Sequence, residues 1–166
     1  MVPVEALAKT PIFHGLSQKQ LEAIAEVSQR QVVETGATIF LEGQQAVRIF
    51  VLEDGKVALE MMIQLDPAQQ PRHTIIDVLA PGDLLAWSAL VDPYVLTMSA
   101  RCIKRASLIA VNAADLHKLM DADCLLGFTI MQRLAGVVSR RLHDTRAQLV
   151  GERGLALMYE SLRDSC

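Results

Sequence analysis

Cysteine, histidine and tryptophan are scarce in this chain of 166 residues, which has three, four and one of them respectively. The cysteines are odd in number and far apart, which argues against a disulfide framework. The histidines show no paired-ligand spacing, so we expect neither a metal site nor a cofactor. The residues concerned are Cys102, Cys124, Cys166, His14, His73, His117 and His143.

Long apolar runs are also missing, and no basic segment followed by an apolar one opens the chain. A membrane span and a secretory signal are therefore not expected, and the predicted location is the cytoplasm. The net charge of −3 and the isoelectric point of about 5.8 give no general attraction to nucleic acid or to acidic membranes.

The sequence offers no recognisable catalytic constellation. Ser88 and Ser99 lack His and Asp companions in motif form, and neither a P-loop nor a dinucleotide fingerprint occurs. We therefore predict a protein that is not an enzyme, with no catalytic residue.

The elements that are present predict a mainly β domain flanked by helices. Ser17 to Gln20 forms a capping-box pattern that predicts a helix over residues 18–27, and Asn112 is placed to cap a helix over 113–120. Asp54-Gly55 predicts a hairpin turn, because both residues tolerate positive φ. Seven runs rich in β-branched residues predict a sandwich or barrel. They span residues 31–34, 38–41, 47–52, 56–63, 73–79, 98–102 and 107–111.

A long helix is predicted over residues 121–150, because this stretch contains no proline and Gly151 is a natural stop. Its apolar residues recur at steps of three and four, a pattern suited to pairing with a second copy of the chain. The alternative is that the stripe packs only on its own β domain. The residues predicted to line a dimer interface are Ile130, Leu134, Val137, Val138, Arg141 and Leu142.

The most informative segment begins with the turn Pro81-Gly82-Asp83, which leads into a short apolar segment, residues 86–90. One turn of helix there would direct unpaired backbone N–H groups toward a cavity, as in an anion cradle. Together with residues 36–43, 52–57 and 97–100, this segment resembles the cyclic nucleotide-binding domain family, in its catabolite-activator-like form.

The resemblance runs from about residue 11 to residue 150 and implies a β-roll, or jelly roll, followed by a long helix. It divides the chain into the β-roll with its N-terminal helix at 1–120, a dimerisation helix at 121–150 and a short helical tail at 151–166. Many relatives carry a helix-turn-helix domain after the long helix. The 151–166 tail is too short for one, so direct DNA binding is not expected.

The resemblance also implies a ligand site, in which a Gly-Glu pair holds the ribose and an Arg pairs with the cyclic phosphate. Ala86 and Trp87 stand at the Gly-Glu places here, and Leu96 or Thr97 stands at the Arg place. Residues 82–100 contain no Arg, Lys or Glu. Losing both charged contacts should cost about 3–6 kcal/mol of binding free energy. The candidate ligand-binding residues are Gly82, Asp83, Leu85, Ala86, Trp87, Ser88, Ala89, Leu96, Thr97, Met98 and Ser99.

Two functions are consistent with these observations. One is a regulatory sensor whose small-molecule effector, nucleotide-like or apolar, binds the pocket and shifts the packing of the long helix. The other is a ligand-free dimeric interaction module, or a partner subunit of a transcription regulator, in which Trp87 and Leu96 fill the former pocket.

Overall fold

The computed structural model describes residues 2–64, 70 and 72–163, with side chains described up to residue 151. Six antiparallel strands form a roll in the order β1-β6-β3-β4, with β2 paired to β6 and β5 paired to β3. Two helices precede the strands and two follow them. The predicted mainly β fold with flanking helices and a long C-terminal helix is confirmed.

The elements have the following bounds. The helices are α1 (Val4–Ala8), α2 (Gln18–Glu26), α3 (Ala113–Ala122) and α4 (Cys124–Arg163), with 3₁₀ helices at Pro11–Phe13 and Trp87–Leu90. The strands are β1 (Ser28–Val33), β2 (Thr38–Phe40), β3 (Arg48–Ile63), β4 (Arg72–Leu79), β5 (Leu84–Leu85) and β6 (Ser99–Asn112).

Both predicted helix caps are present. The Ser17 hydroxyl accepts a hydrogen bond from the Gln20 backbone N–H, and the Gln20 side-chain oxygen accepts one from the Ser17 N–H at 2.9 Å. The Asn112 side-chain oxygen accepts from the Asp115 N–H at 3.0 Å. These bonds satisfy backbone donors that have no partner inside the helix, which is why α2 and α3 begin where the sequence predicts.

The predicted hairpin at Asp54-Gly55 is wrong. β3 runs through it as one strand, and β6 pairs with it from Arg48 to Glu60 with register shifts around Asp54. Gly55 has φ +96°, and a Cβ there would lie 2.6 Å from the Ala106 Cα. The Asp-Gly pair therefore serves a bulge where two strands come too close for a side chain, and the same residue types serve both structures.

The first part of β3 is buried on both faces. Ile49, Phe50, Val51 and Leu52 are all at most 7% exposed, although successive strand residues point in opposite directions. Val47, the first residue of the predicted strand over 47–52, is 61% exposed and lies just before β3. The core of the roll thus lies around β3 and β6, directly beside the segment that carries the candidate site.

α4 begins where the Asp123 carboxylate accepts hydrogen bonds from the Leu125 and Leu126 N–H groups at 3.0 and 3.1 Å. It continues for 40 residues, or roughly 60 Å at 1.5 Å per residue. The predicted stop at Gly151 is wrong, because the helix passes through this residue to Arg163. The predicted separate tail is thus continuous with α4 up to residue 163, and residues 164–166 lie outside the described residues.

No helix in the described part of the chain is both long enough and apolar enough to cross a bilayer.

Candidate functional site

The candidate site begins with the turn at residues 81–83, which is hydrogen-bonded to Leu52 in the first half of β3. Gly82, at φ +97°, donates its N–H to the Leu52 carbonyl at 2.7 Å, and the Leu52 N–H donates to the Asp83 carbonyl at 3.0 Å. The Asp83 carboxylate accepts from the Ala80 N–H at 2.8 Å and so closes the turn. β5 then pairs with β3 and delivers the chain to the 3₁₀ helix Trp87–Leu90, which we call the pocket helix.

Ala86 precedes the pocket helix in the left-handed backbone region, at φ 55° and ψ 32°. A residue with a Cβ pays about 1–2 kcal/mol for this conformation, which glycine adopts freely. The surrounding packing therefore imposes a geometry at Ala86 for which glycine is the better-suited residue.

The pocket beside the pocket helix is small. Its volume is about 20 Å³, close to the space of a single water molecule. Trp87 and Met98 are half-buried and Leu96 is 5% exposed, and all three side chains line this pocket. The lining residues are Phe40, Leu59, Ala86, Trp87, Ser88, Leu96, Thr97, Met98 and Arg141.

Six of the eleven predicted ligand-binding residues line this pocket: Ala86, Trp87, Ser88, Leu96, Thr97 and Met98. The other five do not. Leu85 and Ala89 are buried in the core, and Gly82 and Asp83 line a different cavity beside α4. The Ser99 hydroxyl accepts a hydrogen bond from the Glu42 N–H at 2.9 Å, which binds it to the neighbouring loop instead. These five residues lie outside the lining of this pocket, and their role in ligand binding stays a prediction.

Arg141 is a pocket residue that the sequence analysis assigned to the dimer interface. Its guanidinium reaches from α4 to the Leu84 carbonyl, to which it donates at 2.5 Å. Burial lowers the pKa of the Arg141 guanidinium, an effect that the nearby carboxylates of Asp77 and Asp83 oppose. The signal available in the sequence was an arginine within an otherwise apolar stripe, which indicates a polar contact inside the chain.

For the first of the α4 residues predicted to line a dimer interface, the structure shows burial within the chain itself. Ile130 and Leu134 are 0% and 3% exposed within the single chain, so they have no surface to offer a partner. Val137 and Val138 are half-buried against the core, and only Leu142 is well exposed, at 49%. The alternative stated above, packing on the chain's own β domain, holds for this half of α4.

The first basic residue after the segment of residues 81–99 is Arg101, and its side chain is paired with Glu60. Its Nε donates to the Glu60 carboxylate at 2.9 Å, and a second guanidinium nitrogen donates to the same oxygen. The Glu60 side chain is 6% exposed, so this carboxylate depends on Arg101 for charge compensation. Arg101 is therefore not free to pair with a phosphate in the pocket.

Among the described residues, no three His, Cys, Asp or Glu side chains lie close enough together to hold a metal ion.

The sequence profile of the cyclic nucleotide-binding domain matches residues 30–123, more than half of the chain. The chain belongs to the cyclic nucleotide-binding domain family. This assignment confirms the resemblance seen in the sequence.

Similar proteins include regulators of the catabolite-activator type. A CRP-like cAMP-activated global transcriptional regulator of Mycobacterium tuberculosis is 26% identical over 150 residues, covering 87% of this chain and 61% of the regulator. The cyclic AMP receptor protein of Thermus thermophilus is 26% identical over 140 residues, covering 84% of this chain and 61% of the receptor. This chain thus spans somewhat less than two thirds of their length.

Solved structures agree with the fold. A cyclic nucleotide-binding protein from Geobacter metallireducens superimposes with a TM-score of 0.76 at 29% identity, covering 86% of this chain and all of that chain. A cyclic nucleotide-binding domain from Methylobacillus flagellatus gives a TM-score of 0.74 at 15% identity, which supports the fold alone. The chain is therefore a regulator-type domain of the cyclic nucleotide-binding domain family.

Proposed function

We propose that the chain is a non-enzymatic regulatory module whose pocket does not hold a cyclic nucleotide through the family's Arg and Glu. The observation that carries this proposal is the small volume of the pocket, about 20 Å³, whose lining includes Trp87, Leu96 and Met98. Cytoplasmic location stays a prediction.

Charge supports the proposal as well as volume. The segment 82–100 contains no Arg or Lys, and Arg101 is paired with Glu60. Arg141 is the one basic side chain in the lining of the small pocket, and it is bonded to a backbone carbonyl. A buried phosphate would keep its desolvation penalty without a matched cation. We expect affinity for cyclic AMP to be on the order of 10² to 10⁴ lower than a site with both charged contacts would give.

Titration of cyclic AMP and cyclic GMP tests the proposal. Trp87 is the sole tryptophan and lines the pocket, so its emission reports occupancy directly. We expect no saturable change in emission or heat up to about 1 mM nucleotide, which corresponds to a binding free energy of about −4 kcal/mol. Micromolar, saturable binding would contradict the proposal.

A gain-of-function design tests the residue assignment. Trp87→Glu combined with Leu96→Arg or with Thr97→Arg should create calorimetrically measurable affinity for cyclic AMP, since it supplies both missing contacts. The matched control is Trp87→Glu with Val91→Arg, because Val91 is 38% exposed and lies outside the pocket lining. Failure of both designed pairs, or equal binding by the control, would overturn the assignment of these positions.

Exposed apolar residues of α4 favour assembly with a second copy as part of the same function. The exposed residues Phe128, Met131, Leu142 and Leu149 and the half-buried Val138 follow one another at three-, four- and seven-residue steps. We call these five residues the α4 seam. Phe128, Leu142 and Leu149 are 66%, 49% and 48% exposed. Such spacing suits a two-stranded coiled coil, and two-fold homodimers are the commonest assemblies.

Sedimentation measures this part of the proposal. We expect a dimer at micromolar concentration, and a monomer for Phe128→Asp, which buries a charge in the seam. Ala147→Asp is the control, since residue 147 is exposed on the helix away from the seam spacing. A monomeric wild type, or equal loss of dimer in both variants, would refute the seam.

The relatives named as transcriptional regulators suggest a role in transcription control, with this chain as the sensing or assembly part. Its net charge of −3 supports contacts with effector and protein rather than with DNA.

A further inference from the structure

A larger cavity of about 240 Å³ lies between the roll and α4. It shares Leu59, Trp87, Met98 and Arg141 with the small pocket, so these four side chains form the boundary between the two. Val138 and Leu142 belong to the α4 side of its lining. The ring of Trp87 and the thioether of Met98 therefore lie between the small pocket and this larger neighbouring cavity.

The body of this larger cavity is apolar. Leu59, Ile76, Trp87, Met98, Val138 and Leu142 contribute hydrocarbon, aromatic and thioether surface. An apolar cavity of about 150 Å³ is sufficient to bind benzene in an engineered protein. At about 240 Å³, this one has room for a compact apolar group larger than benzene.

The charged groups at the cavity oppose an anionic occupant. Asp77 and Asp144 line it together with Arg141, so two carboxylates face one guanidinium. The guanidinium is already hydrogen-bonded to the Leu84 carbonyl and lies in the field of Asp77 and Asp83. An anionic compound could pair only with the Arg141 guanidinium, whose charge is already compensated, and the two carboxylates would repel it. An amine would be attracted to the two carboxylates.

We propose that this cavity binds a compact apolar compound that is uncharged or cationic, in place of an anionic nucleotide. This inference rests on the proposed function, of which it names the effector class. A bound compound would touch Trp87 beside the pocket helix and Leu142 on α4 at once. Binding therefore favours the helix position in which both contacts are made, and this links the effector to the α4 seam.

Three adamantane derivatives of matched shape test the proposal on the full chain. They are 1-adamantylamine, 1-adamantanol and adamantane-1-carboxylate, which are transparent where Trp87 is excited. We expect saturable changes in Trp87 emission with the amine and the alcohol, and binding of the carboxylate at least about tenfold weaker than that of the amine. No saturable change with any of the three, or tightest binding of the carboxylate, would overturn the proposal.

Asp144→Asn and its control Asp121→Asn test the charge argument. Asp144 lines the cavity, and Asp121 is exposed and lies outside the lining. Asp144→Asn should weaken the amine and strengthen the carboxylate by about threefold to tenfold each while leaving the alcohol unchanged, and Asp121→Asn should change none. An unchanged ranking in Asp144→Asn would overturn the charge assignment.

Thr145→Phe tests the location, because Thr145 lines the cavity and a phenyl ring there would fill it. It should abolish binding of the amine and the alcohol, whereas Ala147→Phe, outside the lining, should not. Equal binding in both variants would overturn the location. The cyclic nucleotide titrations are independent of this series, so its failure leaves the proposed function standing, and micromolar cyclic AMP binding would refute the proposed function itself.

Discussion

The β3–β6 pair, which reaches the small pocket through Leu59 of β3, and the segment of residues 81–99 obtain their geometry in different ways. Between β3 and β6, the backbones approach so closely at Gly55 that a Cβ would lie 2.6 Å from the Ala106 Cα. In the pocket segment, Ala86 holds a left-handed conformation despite its Cβ. The comparison teaches that backbone contact restricts the residue type at Gly55, whereas at Ala86 the surrounding packing holds a backbone conformation that the side chain itself disfavours.

The same contrast holds for charge. In the strands, the buried Glu60 carboxylate is compensated by Arg101. Residues 82–100 contain no Arg, Lys or Glu, so this segment holds no cation that could compensate an anionic ligand. We propose that the strands carry the stability of the fold and that the segment of residues 81–99 carries the choice of ligand. The following predictions test this division, from the largest expected effect to the smallest.

Gly55→Ala should destabilise the protein by more than about 3 kcal/mol, because the new Cβ meets backbone atoms and φ is +96°. Gly43→Ala is the matched control, since Gly43 has φ +80° and nothing within 4 Å of an added Cβ. Its cost should be only the conformational one, about 1–2 kcal/mol. Urea denaturation measures both, and equal costs would show that the strands are not restricted by contact at Gly55.

Glu60→Gln should cost about 1–3 kcal/mol, because it weakens a charged hydrogen bond at a site where Glu60 is 5% exposed. Glu34→Gln removes the charge from the exposed Arg105 pair, in which the glutamate side chain is 71% exposed, and should change stability by less than about 0.5 kcal/mol. Thermal unfolding measures the stability of both variants. A larger loss of stability in Glu34→Gln than in Glu60→Gln would contradict this prediction.

Ala86→Gly should stabilise the protein by up to about 1 kcal/mol, because glycine relieves the left-handed strain at a modest entropic cost. Ala89→Gly, at a buried position within the pocket helix, should instead destabilise by roughly 0.5–1 kcal/mol. A fall in melting temperature for Ala86→Gly would mean that the alanine methyl group contributes more by packing than its backbone conformation costs.

The smallest effect concerns pH and the pair of Arg30 with Glu53. Hydrogen bonding from Arg30 lowers the pKa of Glu53 below its usual range, and the Ser107 hydroxyl acts in the same direction against a cost from burial. A lowered folded-state pKa gives stability that is present above the unfolded value of about 4.3 and is lost as pH falls through the folded value. The stability difference between wild type and Glu53→Gln should therefore be present at pH 7 and vanish in acid. A difference independent of pH would contradict this assignment.

Helix caps and strand content were predictable from the sequence because they depend on local chemistry. Ser17, Gln20 and Asn112 make their capping bonds within three residues, so the pattern contains the whole interaction. The pocket segment was found through the turn at Gly82, whose positive φ is again a local property. Six of the eleven predicted ligand-binding residues line the small pocket, and they were predicted because they lie near this turn and the pocket helix in the sequence.

What failed depended on partners distant in the chain. Asp54-Gly55 has the composition of a hairpin turn, and only the approach of Arg105 and Ala106 makes it a bulge. Arg141 reads as one member of a helical stripe until α4 is placed against Leu84, 57 residues earlier. Ile130 and Leu134 have the spacing of an interface, and their burial in the chain's own core is a matter of docking.

The sequence by itself determined the mainly β fold and its helix caps, because these follow from residue types at neighbouring positions, and its motifs carried the resemblance to the family. It also showed that residues 82–100 contain no Arg, Lys or Glu. The tertiary structure alone decided that the small pocket has a volume of only about 20 Å³, that Arg141 lies at its boundary and that a second cavity lies beside α4. The physical reason is that volume and charge compensation arise between side chains brought together from distant segments, and no local pattern contains those distances.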